Sequence, residues 1–163
     1  MSDSKGMKKE YINKISDFNM SKCNFDIACE KSLIDNIIQD CDTAFETPIK
    51  LRNDYNVLLD KLTSNACVLY AYRENILGYI AFYANRPEEA YISLIAIKPE
   101  YQGDGIGSYL LKVSEIIIKE RGISKIKLEV RKNNKSAIGF YKHLGFNIIS
   151  DASDESYYME KKL

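Results

Sequence analysis

Residues 96–113 read AIKPEYQGDGIGSYLLKV, in which Gly103, Gly105 and Gly107 fall within five positions and lead directly into apolar residues at helical spacing. Glycine is used where backbone dihedrals are unusual or where something must approach the chain closely. A helix that starts just after such a turn points unpaired N–H groups and the positive end of its dipole at one spot, which suits a phosphate. The turn therefore predicts a phosphate-bearing ligand. A P-loop does not fit it, since GxxxxGK followed by Ser or Thr is required and no lysine follows these glycines. A dinucleotide fingerprint GxGxxG begun at Gly103 or Gly105 would need its third glycine where Ser108 or Leu110 stands. That reading predicts an NAD(P)-dependent oxidoreductase. A bare connector would spend three glycines, and their chain entropy, on nothing.

Working outward, the run AYISLIAI before the turn is apolar on both faces and ends at Pro99, as a central strand covered on two sides would be. After the turn Ile106, Tyr109, Leu110, Val113, Ile116 and Ile117 line one side of a helix that Gly122 should stop. ACVLYAY and ILGYIAFYA around the polar REN read as an antiparallel hairpin. Two amphipathic helices precede it, one on Leu33, Ile34, Ile37, Ile38, Cys41, Ala44 and Phe45, the other on Leu51, Tyr55, Leu58, Leu59 and Leu62. SKIKLEVR is a further strand, NKSAIGFYKHL a short helix ended by Gly145, and FNIIS and SYYMEKKL are two final strands. The predicted order is α, α, β, β, β, α, β, α, β, β.

The bulk properties fit one soluble domain over residues 23–163, preceded by a polar, lysine-rich extension over residues 1–22 that is loosely ordered at its start. The chain is 45% hydrophobic and 28% charged, and no apolar run approaches the roughly 20 residues of a membrane span. Lys plus Arg equal Asp plus Glu at 23 each, which leaves no basic excess for nucleic acid. Cys23, Cys29, Cys41 and Cys67 have no metal-ligand spacing, and no metal is expected. With no apolar signal core in MSDSKGMKKEYINK, the thiols are expected free in the cytoplasm.

The segment QGDGIG, residues 102–107, resembles the Q/R-x-x-G-x-G/A signature of the GCN5-related N-acetyltransferases, with Gln102, Gly105 and Gly107 on the fixed positions. LEVRKNNKSAIGFYKHLGF, residues 128–146, is similar to the L-x-V-x-x-x-N-x-x-A-x-x-x-Y-x-x-L-G-F block of the same superfamily, and LEVR especially resembles the ribosomal-protein N-terminal acetyltransferases. The resemblance covers roughly residues 66–161. It implies an α/β (α+β) fold with a mixed, mostly antiparallel sheet splayed at its centre, flanked by helices, and acetyl-CoA wedged between the strands at 90–97 and 124–131. It implies further that the pyrophosphate lies on the backbone of Gly103, Asp104, Gly105, Ile106, Gly107 and Ser108. The pantetheine arm would pair with Ile95, Ala96 and Ile97, and Asn134, also a natural helix N-cap, would contact the cofactor.

The implied chemistry is direct acetyl transfer to an amine, which needs a base, an oxyanion donor and an acid for the departing thiolate. By resemblance Tyr141 is the acid and the Ile97 N–H the oxyanion donor. Histone-type relatives carry a glutamate base where this chain has Tyr91. Glu129, matching the glutamate of LEVR, is the first candidate base and Glu89 the second. Tyrosines 70, 72, 79, 83, 91, 157 and 158 are candidates to line an acceptor pocket, and His143 reads as a surface residue. The expected acceptor is a small amine, as monomer or homodimer; the alternatives are a protein N-terminus or a non-catalytic acyl-CoA sensor.

Overall fold

The computed structural model describes residues 23–163, so the expected extension over residues 1–22 lies outside the described residues. In chain order the elements are β1 (Asn24–Ala28), α1 (Lys31–Asp40), α2 (Tyr55–Asn65), β2 (Ala66–Tyr72), β3 (Ile76–Tyr83), β4 (Ala90–Ile97), α3 (Ile106–Glu120), β5 (Lys125–Arg131), α4 (Lys135–His143), β6 (Asn147–Asp151) and β7 (Ser156–Lys162). They build a seven-stranded sheet in the order β1-β2-β3-β4-β5-β7-β6. β4 and β5 run parallel and the other neighbours antiparallel, the mixed and mostly antiparallel sheet that was expected. No helix of the described residues is long and apolar enough to cross a membrane.

Three departures from the sequence reading have local causes. The predicted order began with a helix, whereas β1 comes first and pairs antiparallel with β2. NFDIA is only five residues long, with Asp26 between the buried Phe25 and Ile27, too short for a periodic signal. The first apolar stripe does not continue as helix to Phe45: α1 stops at Asp40, and Ala44 closes a short 3-10 turn. Leu51 does not join α2 either; it ends a second 3-10 turn, Ile49–Leu51, and is 67% exposed.

Asp42 explains this connection. Its buried carboxylate accepts hydrogen bonds from the N–H of Ile49 at 2.9 Å and of Lys50 at 3.3 Å, drawing the chain into a loop that packs on β4. Asp42→Ala leaves a buried N–H without an acceptor. It is expected to cost about 1–3 kcal/mol in urea unfolding.

The sheet separates two cores. On one face Ile106, Leu110, Leu111, Val113 and Ile117 of α3 and Ile138 and Tyr141 of α4 pack with Ile80 and Phe82 of β3 and Ile126, Leu128 and Val130 of β5. On the other, Ile34, Ile37 and Ile38 of α1 and Leu59 and Leu62 of α2 cover Val68, Tyr79 and Ala81. β4 serves both. Its register against β3 slips at Ser93, between the Phe82–Ile92 and Ala81–Leu94 pairs. Side chains alternate along a strand, so one extra residue exchanges the faces. Ala90 and Ile92 accordingly lie in the α3 core, and Leu94 and Ala96 in the α1 core.

The four cysteines are free, as expected; Cys23, Cys41 and Cys67 are buried. Cys41 belongs to the α1 core, and burial pushes its thiol up to about 12. β6 forms one edge of the sheet, all five of its residues exposed, with a bulge at Ile149 against β7.

Candidate active site

The parallel ladder between β4 and β5 is short. It joins Ala90, Tyr91 and Ile92 to Ile126, Lys127 and Leu128 and then stops, although β4 runs on to Ile97 and β5 to Arg131. The sheet forks there. The N–H of Lys98 donates to the carbonyl of Leu77 on β3, and hydrogen-bonding direction alternates along an antiparallel strand. The backbone groups of Ala96 therefore face β3 as those of Lys98 do, and those of Ile95 and Ile97 face the gap.

Gln102 completes the end of β4. Its side-chain amide donates to the Ile97 carbonyl at 3.0 Å, so the N–H is the group of Ile97 left turned into the gap. Lys98 anchors the same point from the other side, its ammonium 2.6 Å from the carboxylate of Asp40 at the end of α1.

The glycine turn follows at once, and its three glycines have separate causes. Gly103 and Gly105 hold φ of +87° and +81°, the left-handed region that costs other residues, and Gly105 is the N-cap of α3. A Cβ on Gly103 would meet nothing within 4 Å, so the turn is open on that side. Gly107 differs. A Cβ there would lie 3.3 Å from Phe140 of α4 and 3.5 Å from Ile97, so this glycine lets α3, α4 and the end of β4 converge. Its absent side chain was expected to make room for a ligand; the room is taken by Phe140.

Among the described residues no backbone carbonyl accepts the N–H groups of residues 103–108, while the helix ladder begins with Tyr109 donating to Gly105. The turn thus presents a set of free amides with the positive end of α3 behind them. Gly103, Asp104, Gly105, Ile106, Gly107 and Ser108 fit a pyrophosphate, and the gap-facing groups of Ile95 and Ile97 fit an amide-bearing chain lying beside β4. Ala96, pointing its backbone at β3, does not share that role.

Asn134 caps α4, its side-chain oxygen accepting the N–H of Ala137 at 3.1 Å. Tyr141, 7% exposed, sits edge-on to Phe140 and Phe146 with ring centroids 5.3 and 5.7 Å away. Burial alone pushes its phenol far above the ordinary value, so it stays a neutral O–H donor.

The two candidate bases fare differently. Glu129 is the first residue of β5 past the last ladder pair, at the mouth of the fork, and is exposed on the face away from α3. Tyr158 of β7 stands opposite it in register. Tyr91 lies close enough that burial first, then Glu129 and Tyr158, raise its phenol. Glu89 lies before β4 at the closed end of the ladder, 3.6 Å from the ammonium of Lys125, which also meets Glu160 at 3.6 Å. The structure does not bring Glu89 to the fork. Of the other tyrosines, Tyr79 is fully buried in the α1 core with no hydrogen-bond partner for its hydroxyl among the described residues, Tyr83 hydrogen-bonds Ser93, and the rings of Tyr70 and Tyr72 meet at a tilt with centroids 5.5 Å apart. His143 is exposed.

A forked mixed sheet with a glycine turn at its mouth is an acyltransferase architecture, and the sequence comparisons agree. The profile of the acetyltransferase (GNAT) family matches residues 33–146, and the chain belongs to that family. The N-alpha-acetyltransferase 30 of Schizosaccharomyces pombe is 43% identical over 56 residues, 34% of this chain and 37% of the yeast protein. The thialysine N-epsilon-acetyltransferase of Bos taurus is 33% identical over 81 residues, 47% of this chain and 48% of the bovine one. The chain thus spans less than half the length of either relative. The PaiA N-acetyltransferase of Thermoplasma acidophilum, solved in complex with coenzyme A, superposes with a TM-score of 0.68 over 86% of this chain and 99% of that one at 21% identity, a likeness of fold.

Proposed function

We propose that the protein is an acetyl-CoA-dependent N-acetyltransferase that passes the acetyl group directly to a primary amine of a small molecule. The observation that carries this reading is the fork, where the gap-facing amides of Ile95 and Ile97 lead straight to the free N–H groups of residues 103–108. Acetyl-CoA, when bound, supplies an activated acyl group as a thioester. The amides of the turn hold negative charge, and Ile97 offers its N–H to the oxygen that gains charge during transfer. Glu129 takes the proton of the acceptor amine, and Tyr141 returns one to the leaving sulfur. The two lie on opposite faces of the sheet, Tyr141 in the α3 core and Glu129 on the exposed side.

A second reading, transfer to a protein N-terminus, is favoured by the likeness to the yeast N-alpha-acetyltransferase. Thiol release from acetyl-CoA, measured against small amines and short peptides, separates the two. Glu129→Gln is expected to lower kcat about 100-fold or more while CoA still raises the melting temperature. Stabilisation by CoA with no amine-stimulated release would instead make the protein a sensor, and no stabilisation would remove the phosphate reading of the turn.

A further inference from the structure

Resting on the transferase reading, we infer that the acceptor is a zwitterion, a free amino acid whose carboxylate lies one or two carbons from its amine, held between Glu129 and Lys127. The charges on the outer face of β5 carry this. Lys125, Lys127, Glu129 and Arg131 alternate with the buried Ile126, Leu128 and Val130 and so share one side. The outer two are matched, Lys125 with Glu89 and Glu160 and Arg131 with Glu155. Among the described residues the inner two, Lys127 and Glu129, have no oppositely charged group within salt-bridge distance, and they are not bridged to each other.

Their surroundings aim both at one place. The Lys127 ammonium lies 4.2 Å from the centroid of the Tyr158 ring, and Tyr158 stands opposite Glu129 in register. The ammonium is thus drawn along the face toward the fork by a cation–π contact, a partner it can exchange for a carboxylate. Residues two apart on a strand are separated by about 6.5 Å. An ammonium and a carboxylate joined through one carbon lie about 3 Å apart, so with a hydrogen bond of about 2.8 Å at each end the zwitterion spans roughly 8 Å, which the flexible stems of Lys127 and Glu129 can bracket from that backbone interval. The acceptor amine then sits on its base, and Tyr91 supplies a neutral hydroxyl beside it. A polyamine or aminoglycoside would instead push its second cation against Lys127.

The test is thiol release from acetyl-CoA by the full chain, with the common amino acids paired against their amides and with cadaverine and spermidine. At least one free amino acid is expected to exceed its amide in kcat/KM about tenfold, the scale of one charge-assisted hydrogen bond. Lys127→Gln should bring that ratio near one, and Lys127→Glu should invert it in favour of the amide or diamine. Wild-type preference for amides, diamines or spermidine overturns the inference and leaves the transferase reading standing. An acid preference that survives both Lys127 substitutions also overturns it, since the carboxylate is then read elsewhere. Release with short peptides alone overturns the inference and leaves the transferase reading, and no release with any of these amines, amino acids or peptides overturns both together.

Discussion

Tyr141→Phe is expected to slow thiol release about 100-fold to 10,000-fold, the range over which a positioned general acid acts. The substitution removes one oxygen and leaves the ring between Phe140 and Phe146, so the edge-on contacts and the α4 packing persist. Burial is what raises the Tyr141 phenol, and a phenylalanine has no ionisable group to bury. The variant should melt no lower than the parent. The sign of the shift gives a second check. An ordinary phenol begins to ionise near pH 10, and a raised one is still protonated there, so kcat should show no falling limb up to about pH 10. An unchanged rate in single-turnover measurements would pass the acid role to water. A falling limb near pH 9 would place another titrating group at the sulfur.

Gly78→Ala should have the largest effect on stability, about 2–3 kcal/mol. Gly78 pairs with Ile97 across β3 and β4, and a Cβ added to it would lie 2.5 Å from Ile97 Cδ1 and 2.6 Å from the Ala96 carbonyl oxygen. The isoleucine methyl can swing away. The carbonyl belongs to the strand ladder, so the two strands must part where β4 enters the fork. A melting temperature lower by roughly 4–12 °C is expected for a domain of this size. Catalysis should suffer with it, because a shift of about 1 Å in a catalytic group costs on the order of 100-fold. Gly139→Ala is the contrast. That glycine lies inside α4 with nothing within 4 Å of the added atom, and alanine should stabilise it by about 0.5–1 kcal/mol. Equal melting temperatures for parent and Gly78→Ala would mean that the β3–β4 contact is slack.

The turn at residues 102–107 was legible because its geometry is local: two glycines with positive φ and a helix start leave their mark within six residues. The third glycine misled, since its cause is Phe140, 33 positions further on, and no short window contains both. The same distance problem separates the candidate bases. Glu89 and Glu129 look alike as residue types, and the ion pair that occupies Glu89 is formed by Lys125, 36 positions further on at the start of β5. The face exchange at Ser93 was hidden by the apolar character of both halves of β4, which gives alternation nothing to register. Lys127 was missed although KIKLEVR sets it on the face of Glu129. What marks it is that, among the described residues, the outer charges Lys125 and Arg131 are ion-paired while Lys127 and Glu129 are not, a property of the folded surface.

A sheet that stays open has two rims, and each offers a row of backbone donors and acceptors on which further copies could be templated without end. Here the rim at β6 carries Ile148 and Ile149 in the open, the kind of apolar strand that seeds fibres. The extra residue at Ile149 throws that rim out of step after Ile148, and Asp151 sets a negative charge at its end. An incoming strand finds no long stretch in register to zip along. The step in β6 thus shortens the stretch on which an incoming strand could pair in register, at the cost of one unpaired residue.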